Sequence, residues 1–148
     1  MTAGALFTRD LRVHDQPALS AAVEAGGPAV PLFVVDDTLA HCRRAANRLV
    51  FLWQSLEDLR GSLRERGGDL VIRRSDPVEE TVKIAEATGA RTVFVGDDAS
   101  GYAQRRRARL ERERLEFRVE DTVTAVPSGE LAPAGRDHHR RQYGVKRR

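Results

Sequence analysis

The sequence is poor in the residues that build covalent or metal-stapled proteins. It has a single cysteine, Cys42, in 148 residues, which excludes an internal disulfide and a cysteine-built metal cage. His14 and His41 lie far from His138–His139, and none of the four shares metal-ligand spacing with Cys42, so no metal site is expected. No apolar run approaches the roughly 20 residues needed to cross a bilayer. Arg9, Asp10 and Arg12 stand where a secretory leader needs its apolar stretch, so the expected location is cytoplasmic, with no membrane role. No G-x-G-x-x-G follows the first apolar run and no G-x-x-x-x-G-K-[ST] occurs, which removes the main support for the usual dinucleotide binding and for P-loop chemistry. Internal repeats and low-complexity linkers are also missing, and the length suits one domain.

Charge is unevenly spread. The net charge is +3, but Arg136, Arg140, Arg141, Lys146, Arg147 and Arg148 against Asp137 give residues 136–148 a net of +5, leaving −2 for residues 1–135. The expected division is a folded domain over 1–135 and a basic, disordered tail over 136–148. Such a tail attracts any polyanion, so the nucleic-acid binding expected is weak, non-specific and confined to it.

Short β-rich apolar runs alternate with longer helical patterns along the chain, the signature of a parallel sheet built from βαβ units. Five strands are predicted, over Ala3–Thr8, Ala29–Val35, Asp69–Arg73, Thr92–Val95 and Glu116–Val119. Asp15 is placed to cap a helix that has Pro17 in its first turn and Leu19, Ala22 and Val23 on its inner face. From Asn47 to Arg66, Leu49, Leu52, Trp53, Leu56, Leu59 and Leu63 recur every three or four residues, which places Trp53 in the core, and Gly67–Gly68 supply a left-handed end. Asp76–Pro77–Val78–Glu79 opens a helix that should run to Gly89. The arginine-rich stretch Tyr102–Leu115 predicts a surface helix packed only through Ala103 and Leu110. The fold class is α/β: a five-stranded parallel, doubly wound, Rossmann-like sheet with helices on both faces.

In such a sheet, ligands bind beyond the C-terminal ends of the strands, at the point where strand order reverses. Arg9–Asp15, Asp36–Arg48, Ser75–Asp76 and Gly96–Gly101 converge there. The geometry locates a site without naming its ligand. The acid pairs Asp36–Asp37 and Asp97–Asp98 serve equally well as helix caps and solvated loop residues, and Arg9 and Arg12 around Asp10 suit bonds that fix the loop.

The segment Thr8–Arg9–Asp10–Leu11–Arg12–Val13–His14–Asp15–Gln16–Pro17–Ala18–Leu19 resembles the one that opens DNA photolyases and cryptochromes. The match continues in order through Pro31–Asp36, then Asn47–Arg48 with Phe51–Leu52, Ser55–Leu56 and Leu59, then Gly89–Ala90, Val93, Asp98, Tyr102 and Arg106. The resemblance implies the family's N-terminal α/β domain. That domain holds a light-harvesting antenna, a deazaflavin, folate or flavin, which passes excitation to FAD in a C-terminal helical domain. Carried over, the antenna pocket takes Arg9, Arg12, Asp36, Arg48, Asp98 and Tyr102. No catalytic residue is assigned, and no FAD is expected in this chain. Thr8 stands where many members have arginine, and Ser100–Gly101 precede Tyr102 where the deazaflavin-type loop has an acid and proline. After Gly135–His138 the family continues into an aromatic stretch and linker, whereas this sequence turns to His139–Arg148, as in a truncated photolyase. Three functions stay open at this point: such a segment with antenna binding, a stand-alone ligand- or partner-binding module that docks a separate flavin domain, and a small nucleotide-binding enzyme.

Overall fold

The computed structural model describes residues 1–37 and 46–121. Cys42, His41 and the basic tail 136–148, with the expected domain end at 135, lie outside the described residues.

Among the described residues five strands and four helices alternate: β1 (Ala3–Phe7), α1 (Pro17–Glu24), β2 (Ala29–Val35), α2 (Ala46–Arg64), β3 (Val71–Arg74), α3 (Pro77–Thr88), β4 (Thr92–Gly96), α4 (Gly101–Leu110) and β5 (Glu116–Glu120). The sheet order is β3-β2-β1-β4-β5, and every pairing is parallel. β1 is central, with Ala3 opposite both Ala29 of β2 and Thr92 of β4. All five β1 residues are buried, as expected of a strand covered on both faces.

Alternation along the strands divides the core into two layers. Phe7, Phe33, Val35 and Phe94 face Ala18 and Ala22 of α1 and Leu56, Leu59 and Leu63 of α2. Leu6, Leu32, Val34, Val93 and Val95 face Val78 and Ala85 of α3 and Leu110 of α4.

Helix ends follow local chemistry. Asp76 Oδ1 accepts the Val78 and Glu79 N–H groups at 2.9 and 3.1 Å, Pro77 needs no N–H partner, and Glu79 and Glu80 favour the positive end of α3. Its C-terminus closes on Gly89 at φ 68°, with Ala90 N–H bonded to Ala85 O at 2.9 Å, a Schellman end that needs a left-handed residue. Gly67, at φ 80°, follows α2 in the same way, with Gly68 N–H on Leu63 O at 3.0 Å.

Four expectations need correction. Trp53 is 50% exposed and Val23 58%. Helical periodicity identifies a face, but it does not say how far the sheet extends beneath it, and only Leu56, Leu59 and Leu63 of α2 are fully buried. The α1 cap is Gln16, whose Oε1 accepts Leu19 N–H at 2.8 Å; Asp15 instead takes a positive φ of 48° in the preceding turn. Finally, α4 ends at Leu110, because the following turn must bring Glu116 N–H to Arg91 O at 3.0 Å to start β5.

Candidate functional site

The strand order reverses between β1 and β4: the chain leaves β1 for β2 on one side, and β4 lies on the other. Loops diverge above such a point and leave a crevice. Two side-chain bonds span it. Arg9 Nη1, from the loop after β1, donates to Asp98 Oδ1, from the loop after β4, at 3.0 Å. The Tyr102 hydroxyl, from the first turn of α4, donates to Asp36 Oδ2 at the end of β2, and because β1 lies between β2 and β4 this bond crosses above it.

Each partner is locally prepared. The Asp98 side chain is 8% exposed, against 62% for Arg9, so an exposed cation caps a buried anion. Burial works against the charged form of Asp98, but the Ser100 N–H and hydroxyl and the Arg9 guanidinium outweigh it and hold the carboxyl below its ordinary range. Ser100 N–H reaches Asp98 Oδ1 at 2.9 Å, and Ser100 Oγ accepts Ala103 N–H at 3.2 Å to start α4. The Tyr102 phenol is pushed up to about 12, first by burial and then by its bond to Asp36, whose negative charge opposes a phenolate. The Arg106 guanidinium lies 5.5 Å from the centre of the Tyr102 ring, a cation–π distance.

Of the six residues expected at the site, the structure thus brings together Arg9, Asp36, Asp98 and Tyr102. Arg12 is turned to its own loop, where Nε and Nη2 donate to Asp15 O at 3.1 and 2.7 Å and Nε meets Asp10 Oδ1 at 3.2 Å. Arg48 is exposed in the first turn of α2. Asp37 pairs with Arg74 at 2.6 Å, a structural use of the second acid in that pair.

Sequence reasoning missed one contributor. Arg106 follows Tyr102 by four residues, a spacing that puts both on one helix face, so that signal was available. Asp10 meets Arg12 within its own loop, and its Oδ2 is buried with no hydrogen-bond partner among the described residues. Beside the rim, a cleft of about 240 Å³ lies between α4 and β5, lined among others by Gly96, Asp97, Asp98, Arg106 and Phe117. Among the described residues no group of acids, histidines or cysteines is arranged to hold a metal, and no helix is long and apolar enough to cross a membrane.

The DNA photolyase family profile matches residues 4–148. The chain belongs to the DNA photolyase family. This photolyase-family chain is 43% identical over 141 residues to the deoxyribodipyrimidine photo-lyase of Streptomyces griseus, covering 90% of the chain and 31% of that protein. It is 36% identical over 113 residues to cryptochrome DASH of Natronomonas pharaonis, covering 72% and 24% respectively. In fold it is similar to a bacterial class III photolyase from Agrobacterium tumefaciens, with a TM-score of 0.71 and 28% identity over 80% of the chain and 25% of that structure. The archaeal photolyase from Sulfolobus tokodaii, solved with two FAD molecules, shares the fold at a TM-score of 0.71 and 22% identity, over 82% of the chain and 29% of that structure. The chain spans about a third or less of the length of each of these relatives.

Proposed function

We propose that this chain serves as the antenna-holding α/β domain of a photolyase, a cytoplasmic DNA-repair system in which light absorbed here is passed to FAD in a separate helical domain. The observation that carries the reading is the pair of bonds across the crevice, Arg9 to Asp98 and Tyr102 to Asp36. Together they gather charged groups and one aromatic ring at the position where open parallel sheets bind ligands. Antenna function asks for a fixed distance and orientation of a bound ring system and for no covalent chemistry, and among the described residues no pair of groups at this rim forms a nucleophile and base.

The residues fit a planar chromophore with polar edges. Tyr102 and Arg106 offer a ring and a cation, and Arg9, exposed on its outer side, can exchange Asp98 for a ligand anion. Arg48 is proposed as a further cation at the mouth, and Arg12 as the residue that holds the loop carrying Arg9. When bound, a deazaflavin, folate or flavin would supply the absorbing ring. Catalytic FAD belongs, on this reading, to the partner domain.

Fluorescence titration of the three chromophore classes tests the proposal. One class is expected to bind with one-to-one stoichiometry, and Asp98→Asn and Arg48→Ala should each weaken it several-fold while leaving the fold intact. Absence of affinity for all three would overturn the antenna reading. Affinity unchanged in both variants would move the ligand away from this rim, and stoichiometric FAD in the purified chain would contradict the assignment of that cofactor to the partner domain.

A further inference from the structure

The surface of α4 and the turn after it carries a charge pattern that the crevice does not use. Residues 101–115 hold Arg105, Arg106, Arg107, Arg109, Arg112 and Arg114 against Glu111 and Glu113, a net of +4. The remainder of residues 1–135 therefore carries −6, so the positive charge is a patch on an acidic body.

Pairing sorts these arginines. Arg107 is bound to Glu111 at 2.7 Å, Arg109 to both oxygens of Asp76 at 2.7 and 3.0 Å, and Arg106 covers Tyr102. Glu113 acts on Arg109. Arg105, Arg112 and Arg114 are exposed and form no ion pair among the described residues. Arg91 shares both properties and sits beside them, because its carbonyl accepts Glu116 N–H two residues beyond Arg114. Elsewhere Arg9, Arg12, Arg60, Arg64, Arg74 and Arg118 meet carboxylates, while Arg48, Arg66 and Arg73, far apart in the sequence from this stretch, are exposed and form no ion pair among the described residues.

The free cations of this stretch lie close together along the chain. Arg105 stands on α4, Arg112 and Arg114 lie in the turn that follows its last residue, Leu110, and the Arg91 carbonyl receives the N–H of Glu116 at the end of that turn. Gly101, Gln104 and Ala108, exposed between and beside them, supply no aromatic or large apolar anchor. A protein interface needs such an anchor at its centre; a phosphate backbone needs only fixed cations, and the guanidinium fork matches its oxygens.

We propose that the surface formed by α4 and the turn after it, with Arg105, Arg112, Arg114 and the neighbouring Arg91, is a contact surface for the phosphate backbone of duplex nucleic acid, separate from the chromophore rim and from the basic tail. It positions the domain against a duplex without reading its sequence. The proposal is independent of antenna binding.

The test measures binding of the full chain to a short labelled duplex by fluorescence anisotropy, between about 50 and 200 mM salt. Arg105→Gln, Arg112→Gln and Arg114→Gln combined should raise Kd at least tenfold and flatten the salt slope by about 2.7, or roughly 0.9 for each lost phosphate contact. The corresponding triple lysine variant should keep most of the affinity, and all three proteins should melt alike because these side chains are exposed. A glutamine variant that binds and titrates like the parent, with affinity lost instead in Arg140→Gln/Arg141→Gln/Arg147→Gln, would overturn the proposal. So would displacement of the duplex by polyglutamate as readily as by unlabelled duplex, since that would make the partner an acidic polypeptide.

Discussion

Replacing Leu56 with alanine removes three carbons from a side chain that is 0% exposed, packed in the same layer as Phe33, Val35, Leu59 and Leu63. Transfer of those carbons is worth about 2.4 kcal/mol at roughly 0.8 kcal/mol each. The void should persist, because Leu59 and Leu63 hold the helix at its present distance from the sheet, and an unrelaxed cavity adds about 1 kcal/mol. The expected loss of about 3–4 kcal/mol is a large part of the 5–15 kcal/mol typical of a domain. It corresponds to a fall in Tm of about 10 °C at this size. Urea and thermal melts followed by far-UV circular dichroism measure it, with Trp53→Ala as the internal comparison. Trp53 is larger than Leu56 but half exposed, so its removal should cost less than about 1 kcal/mol. If Trp53→Ala proved as costly as Leu56→Ala, the inner face of α2 would be wrongly assigned.

Three further outcomes follow from the same geometry. With its phenol raised to about 12 in the fold, Tyr102 stabilises the native state fully below its unfolded pKa near 10, and this stability is lost as pH rises toward 12; Tyr102→Phe should flatten that alkaline decline, and an identical pH profile for parent and variant would refute the assignment. The Arg109 bond holds the Asp76 carboxyl below its ordinary range despite partial burial, so its contribution is present above the usual carboxylate pKa and falls as pH drops below it; Asp76→Asn should keep the helix cap yet lose this acid dependence, whereas Asp76→Ala should also cost about 1–2 kcal/mol as a lost cap. Gly89→Ala meets open space but must hold φ 68°, and a loss of about 1 kcal/mol is expected in the same melts.

What the sequence made legible was local or periodic. The start of α3 is written in four consecutive residues, Asp76 to Glu79, and β2 in an unbroken apolar run, so both appear where they were expected. The overhang of α2 is not local: whether Trp53 is covered depends on how far strands elsewhere in the chain reach. The choice of Gln16 over Asp15 as a cap depends on a single backbone angle in an irregular loop. At the site, a family resemblance nominated Arg9, Asp36, Asp98 and Tyr102, but no spacing in the sequence links Arg9 to Asp98 across 89 residues. Those pairings arise only when the strand order sets β4 and β2 on either side of β1.

That order has a consequence for how the protein is made. Of the five strands described, the first to be made, β1, is the middle one of the sheet. One of its edges can be closed once Val35 has emerged, but the other must wait for Thr92 to Gly96. At roughly 5–20 residues per second that interval lasts several seconds. Closing the longer loop adds only about 1 kcal/mol of chain entropy, so the hazard is one of timing and not of energy. During it, an apolar strand stands with its backbone groups open to any other chain that presents a strand. A nascent chain stalled between Val35 and Thr92 is therefore the form of this protein most exposed to aggregation, whatever the stability of the completed domain.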